Sequence, residues 1–241
     1  MRTSSLIVFL SLGLSGFCQP AGTGAWWASH PSSIIRSPGL VSLFTSNSIT
    51  SGTTNTWPSP SVSGNNVLAG VSVGYGSSLA RTITGVTWGA VALTNQLSVF
   101  EASADRLYTW AATGVSAGVS QITVTYSGSL SLGSFAIGWF ATNVGGLGNT
   151  ATATAASSLS VSNQISAIST DVILDSLAPA SGGATTWTVG AGQSLAAFAT
   201  NSLPSVLIST QPGAATVNNF WTNTFGGGTS MSEGALVLHG H

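Results

Sequence analysis

Gly70-Val71-Ser72-Val73-Gly74 has the G-x-S-x-G spacing of a nucleophile elbow, whose serine needs a sharp strand-to-helix turn. Here the motif runs through a β-type alternation and continues into Tyr75-Gly76-Ser77-Ser78, so no helix is expected behind it and Ser72 is not expected to be catalytic. The three histidines do not complete it: His30 stands near the N-terminus, and His239 and His241 stand at the other end of the chain. Two imidazoles two residues apart make a weak metal site, and no metal is expected.

Glycoside hydrolysis uses two carboxyl groups set a fixed distance apart. The pairs on offer are Glu101 with Asp105 and Asp171 with Asp175. Four residues along one strand face span about 13 Å, too far for either geometry, so both pairs read as strand-end residues. The five acids are too scattered to support a calcium cage. No catalytic residue and no cofactor is expected.

The eight tryptophans are the remaining chemical signal. A neutral polyhydroxylated ligand is held by flat aromatic faces and uncharged hydrogen-bonding groups. Trp88, Trp110 and Trp139 lie in strongly patterned runs and are expected in the core. Trp57, Trp187 and Trp221 flank turns and are the candidates for stacking on a glycan, while Trp26 and Trp27 would form a partner-binding arm.

Only 4% of the 241 residues are charged, and the chain has four arginines and no lysine. Binding a nucleic-acid backbone requires several cations on one face, so that class of partner is excluded. With so few titrating groups, an unfolding midpoint nearly flat with pH is expected. A hydrophobic content of 43% at a net charge of −1 favours an ordered core over disorder.

Arg2, the apolar run Leu6–Leu14, and Gly16 and Cys18 before Gln19 form a secretory signal pattern over residues 1–18. The run is too short to span a bilayer, so no transmembrane segment is expected in the mature chain. The product is expected to be secreted, extracellular or at the cell surface. Cys18 is the only cysteine, which rules out an intramolecular disulfide. Residues 19–37 read as a flexible arm, and residues 38–241 as one domain.

Period-two alternation dominates that domain. In Val67–Tyr75 the odd positions are apolar, while Leu68, Gly70, Ser72 and Gly74 form the other face, and this mostly small face must lie under something close. Arg81–Trp88, Gly89-Ala90 and Val91–Leu93 make a hairpin. Gln121–Tyr126 and Phe135–Phe140 are strands, the second apolar on both faces. Pro58 and Pro60 make any strand there an edge, the Ala/Thr run after Asn149 suits a polar edge strand, and Asp171–Leu177 is a buried strand. About a dozen short strands and no helix of ten residues predict an all-β fold, a single antiparallel, jelly-roll-like β-sandwich. No internal repeat stands out.

In this order the chain resembles a family of β-sandwich domains of secreted bacterial and environmental proteins. The likeness rests on GNNVLAGVSVG (64–74), ITGVTWGAVALT (83–94), DRLYTW with GVSQITVTYSG (105–110, 118–128), TDVILDSLA (170–178), TQPGAATVNNFW (210–221) and ALVLHG (235–240). It implies a surface or binding module with no established reaction. The expected function is a non-catalytic module that binds a neutral polysaccharide or a neighbouring surface protein. The alternatives are self-association as a structural subunit of a fibre, coat or virion decoration, or a hydrolase.

Overall fold

The computed structural model describes residues 36–49, 51–76, 81–101, 105–130, 133–180, 187–199, 205–224 and 227–241. The expected leader at residues 1–18, with Cys18, and His30, Trp26 and Trp27 of the expected arm lie outside the described residues. Every described element is a strand, seventeen in all rather than a dozen, and every strand pairing is antiparallel.

The first half is a ribbon folded back on itself. Strand β1 (Gly39–Ile49) pairs with β9 (Ser134–Thr142), β2 (Thr54–Pro58) with β8 (Gln121–Tyr126), and β3 (Leu68–Gly76) with β7 (Asp105–Thr113). At the fold of the ribbon β4 (Ile83–Trp88) pairs with β5 (Val91–Ala92), and β6 (Thr94–Phe100) crosses to the edge beside β7. Pairing of first with last and second with penultimate is the jelly-roll order. It yields the sheets β1-β9-β3-β7-β6 and β2-β8-β4-β5. Pro58 ends an edge strand, where its missing N–H costs no ladder bond.

The second half repeats the scheme. Strand β10 (Val144–Ser158) pairs with β17 (Thr229–Gly240), β11 (Ser160–Ile165) with β16 (Val217–Asn223), and β12 (Val172–Pro179) with β15 (Val206–Pro212). Strand β13 (Trp187–Val189) lies beside β16, and β14 (Ser194–Ala199) beside β15. The sheet orders β10-β17-β12-β15-β14 and β11-β16-β13 match those of the first half strand for strand, β5 alone lacking a counterpart. Even irregularities recur, with the β6–β7 ladder slipping between Asn95 and Leu97 and the β14–β15 ladder between Leu195 and Ala197. The chain is thus a tandem of two jelly rolls joined through the single residue Asn143, which takes a left-handed backbone at φ 55°.

The four sheets stack in four layers. In β3, Ala69, Val71, Val73 and Tyr75 pack on Trp57, Val86, Trp88, Ile122 and Val124 of the outer sheet. Its other face, Leu68 to Gly74, looks toward the second roll, where Leu107, Ile137 and Trp139 meet Leu174, Ile208, Leu236 and Leu238. Beyond that layer Ile173, Leu177, Leu207 and Val237 pack on Val161, Ile165, Val217 and Trp221. Burial of each such aliphatic side chain contributes about 1.5–3 kcal/mol. Three apolar seams, rather than one, therefore hold the molecule together.

The middle seam explains the small face of β3. A Cβ on Gly70 would collide with the Trp139 ring, and one on Gly74 would lie 2.6 Å from Val206 Cγ2. The two inner sheets pack so that exchanging the rolls maps each pair of contacting strands onto another contacting pair, as an approximate twofold axis requires. The ladders make Ser72, opposite Thr109, equivalent to Ser176, opposite Ile208.

Candidate functional site

Ser72 sits in mid-strand, fully buried, with Oγ 3.0 Å from Ser176 Oγ, 3.4 Å from Thr109 Oγ1 and 3.3 Å from the donating Trp139 Nε1. It belongs to the seam between the rolls. Arg106 donates to the Arg81 carbonyl at 3.0 Å and lies over the Phe100 ring, 4.8 Å from its centroid.

The proposed stacking platforms face inward. Trp57, Trp187 and Trp221 are 5%, 4% and 0% exposed, so no ring face is open to a ligand. The alternation within β2, β13 and β16 turns each indole toward the core, because a turn at the strand end does not change which face the pleat assigns. Trp88 and Trp139 are core as expected, and Trp110 packs partly buried against the first roll's core.

Two acids read as strand-end residues divide in the structure. Asp171 does precede β12: its Oδ2 accepts from Ile168 N at 2.9 Å, and its Oδ1 lies 3.0 Å from His239 Nδ1. Asp175, in contrast, lies in the middle of β12, fully buried, on the same face as Glu233 of β17, which is also 0% exposed. Asp175 pairs with Ala235 and Leu177 with Glu233, so the two carboxyl groups are diagonal neighbours across the ladder.

A set of neutral groups surrounds them. Trp221 Nε1 donates to Asp175 Oδ2 at 2.5 Å, and Gln193 Nε2 reaches the same oxygen at 3.3 Å and Ser209 Oγ at 2.9 Å. Gln193 is itself fixed by donors from Phe220 N at 2.7 Å and Gly190 N at 3.1 Å to its Oε1. Asn219 donates to Asn163 at 2.6 Å and accepts from Gln211. Asp175 Oδ1 and both Glu233 oxygens have no donor. Burial pushes the Glu233 carboxyl up to about 10, aided by the charge of Asp175, and raises the Asp175 carboxyl less, against the opposing Trp221 hydrogen bond. Sequence reading missed the pair because its members stand 58 positions apart, and only strand pairing brings 175 and 233 together. The one available signal was an acid inside the apolar run DVILDSL.

Open depressions lie elsewhere, where the two rolls meet. One, of about 420 Å³, is lined by residues including Leu68, Thr94, Gln96, Val144 and Leu147. Another, of about 480 Å³, is lined by residues including Gly64, Asn66, Gly114 and His241, and Thr113 and Val144 border both. The Gly64–Asn66 turn holds this end in place, since Asn65 O and Asn66 O accept from Asn143 N at 3.0 Å and Val144 N at 3.1 Å. Gln96 is oriented by donating to Thr94 Oγ1 at 2.8 Å and Thr94 O at 3.1 Å. No Asp, Glu, Lys or Arg side chain lines either depression. Among the described residues no group of three or more His, Cys, Asp or Glu could hold a metal ion, and no helix is long and apolar enough to cross a membrane.

Fold and site together define a tandem jelly roll with a surface groove free of Asp, Glu, Lys and Arg side chains and an acid pair sealed inside its second roll. No family model, no curated protein and no solved structure matches the chain.

Proposed function

We propose that the protein is a non-catalytic module of the cell exterior that binds a neutral, polyhydroxylated ligand such as a glycan in the groove between the rolls. The observation that carries this reading is the pair of adjoining depressions that share Thr113 and Val144. Their walls offer amide, hydroxyl and backbone groups next to aliphatic carbon, with the His241 imidazole at one end and no Asp, Glu, Lys or Arg side chain. Such a wall suits a ligand with many hydroxyls and no charge. The test is retention on a panel of neutral polysaccharides at low and high salt, with Gln96→Ala and Thr113→Val as variants. Retention that salt leaves unchanged and either variant weakens supports the reading. Failure of every polysaccharide, or retention lost in salt, overturns it.

A second reading, self-association as a structural subunit, is favoured by one edge. Strand β14 ends its sheet with the uncharged sequence SLAAFA, and Leu195 and Phe198 are exposed. An edge without lysine or proline is a template for strand addition.

A further inference from the structure

We propose that Asp175 and Glu233 share a proton inside the second roll, Glu233 donating it to Asp175 Oδ1. The inference is independent of what the surface groove binds.

The first roll serves as an internal control. Matching the ladders strand by strand makes Val71 the equivalent of Asp175 and Ala136 that of Glu233. In the same way Trp110 matches Ser209, Leu93 matches Gln193 and Ile122 matches Trp221. The first roll fills these places with apolar side chains in its core. The fold therefore does not need polar groups there, and the second roll carries a whole set of them.

Compensation for two buried acids must come from a proton or a cation. The last arginine is Arg106 and the chain has no lysine, so no basic side chain other than histidine follows. Strands β10, β11, β13, β14, β15 and β16 carry no Asp, Glu, His, Lys or Arg, β12 carries only Asp175, and β17 adds Glu233 and His239. His239 is engaged with Asp171, and segments 181–186, 200–204 and 225–226 contain no ionisable side chain. Calcium takes about six to eight oxygen ligands, whereas Trp221 and Gln193 present N–H donors to Asp175. Those donors favour a carboxylate at Asp175. Glu233, which has no such donors, is the partner that keeps the proton, and its O–H supplies the donor that Asp175 Oδ1 lacks.

The sign of the pH effect follows from linkage. An acid whose folded pKa lies above its unfolded value takes up a proton on folding, so stability is greatest below the unfolded value and falls as pH rises toward the folded one. The Glu233 window runs from its ordinary value of 4.5 to about 10. Within it the folding equilibrium constant changes about tenfold per pH unit for each proton held.

Two measurements test the proposal. Infrared spectra of the wild-type protein near pH 7 are expected to show a protonated-carboxyl C=O band that Glu233→Gln lacks. Denaturant unfolding from about pH 5 to about pH 9 is expected to show wild-type stability falling more steeply with pH than that of Glu233→Gln, by about one proton's slope, with calcium and a chelator without effect. If the variant does not fold, the wild-type band and the response of wild-type unfolding to pH and calcium decide alone. Absence of the band, equal slopes, or a calcium-dependent gain in stability, which would assign the pair to a cation, overturns the proposal.

Discussion

Ser72 Oγ lies 3.0 Å from Ser176 Oγ, and the two serines occupy the same ladder position in the two rolls. A hydroxyl pair of this kind marks the approximate axis between the halves. It also makes the seam partly polar at its centre, which fixes the relative register of two otherwise smooth apolar sheets. Replacing Ser176 by Ala is expected to cost about 0.5–1.5 kcal/mol. Ser72→Ala, which also strips Trp139 Nε1 of its acceptor, is expected to cost about 1–3 kcal/mol, with the double variant costing less than the sum. Urea unfolding of the three variants measures this.

Gly70→Ala should destabilise by about 1–3 kcal/mol, because its new methyl group meets the Trp139 ring in a filled seam. Gly85→Ala, where no atom lies within 4 Å of the added carbon, is the matched control and should change stability by less than about 0.5 kcal/mol. The same unfolding assay separates the two.

Trp57→Ala should behave as a core deletion, costing about 3–5 kcal/mol, and not as the loss of a binding platform. Its indole is buried and donates to Thr45 Oγ1 at 3.2 Å. Folded Trp57→Ala protein should keep whatever polysaccharide retention the wild type shows, and a selective loss of retention at unchanged stability would contradict the burial.

Phe198 is 56% exposed on the open edge β14. If the chain self-associates through that edge, Phe198→Lys should return it to monomer in sedimentation velocity without loss of stability. An oligomer that survives the substitution places the contact elsewhere.

Burial raises the phenol pKa of both Tyr75 and Tyr126 well above its ordinary value. Neither should ionise at about pH 10 while the protein is folded. Tyr75→Phe should therefore leave the alkaline ultraviolet difference spectrum of the folded protein unchanged.

The strand pattern was legible because a pleat writes period two into the residues. Val67–Tyr75, Gln121–Tyr126 and Asp171–Leu177 all fall within or against strands, Pro58 marks an edge, and the Ala/Thr run forms part of the edge strand β10. The repeat was not legible. Equivalent positions keep their direction and not their chemistry, as Val71 with Asp175 and Leu93 with Gln193 show. A flat pH profile is what a low charge count leads one to expect, and the proposed shared proton predicts a slope instead. Titration depends on where acids stand rather than how many there are, and two of the five are enclosed together.

By itself the sequence determined the all-β class, the strand faces, the turns at Gly64–Asn66 and Gly89-Ala90, and the poverty of charge, since each is written in local spacing and composition. Only the tertiary structure decided that there are two rolls, that Trp57, Trp187 and Trp221 point inward, that a groove opens at Thr113 and Val144, and that Asp175 meets Glu233. Those relations join residues far apart in the chain. Strand pairing and sheet stacking create them, and no local pattern encodes which strand will lie beside which.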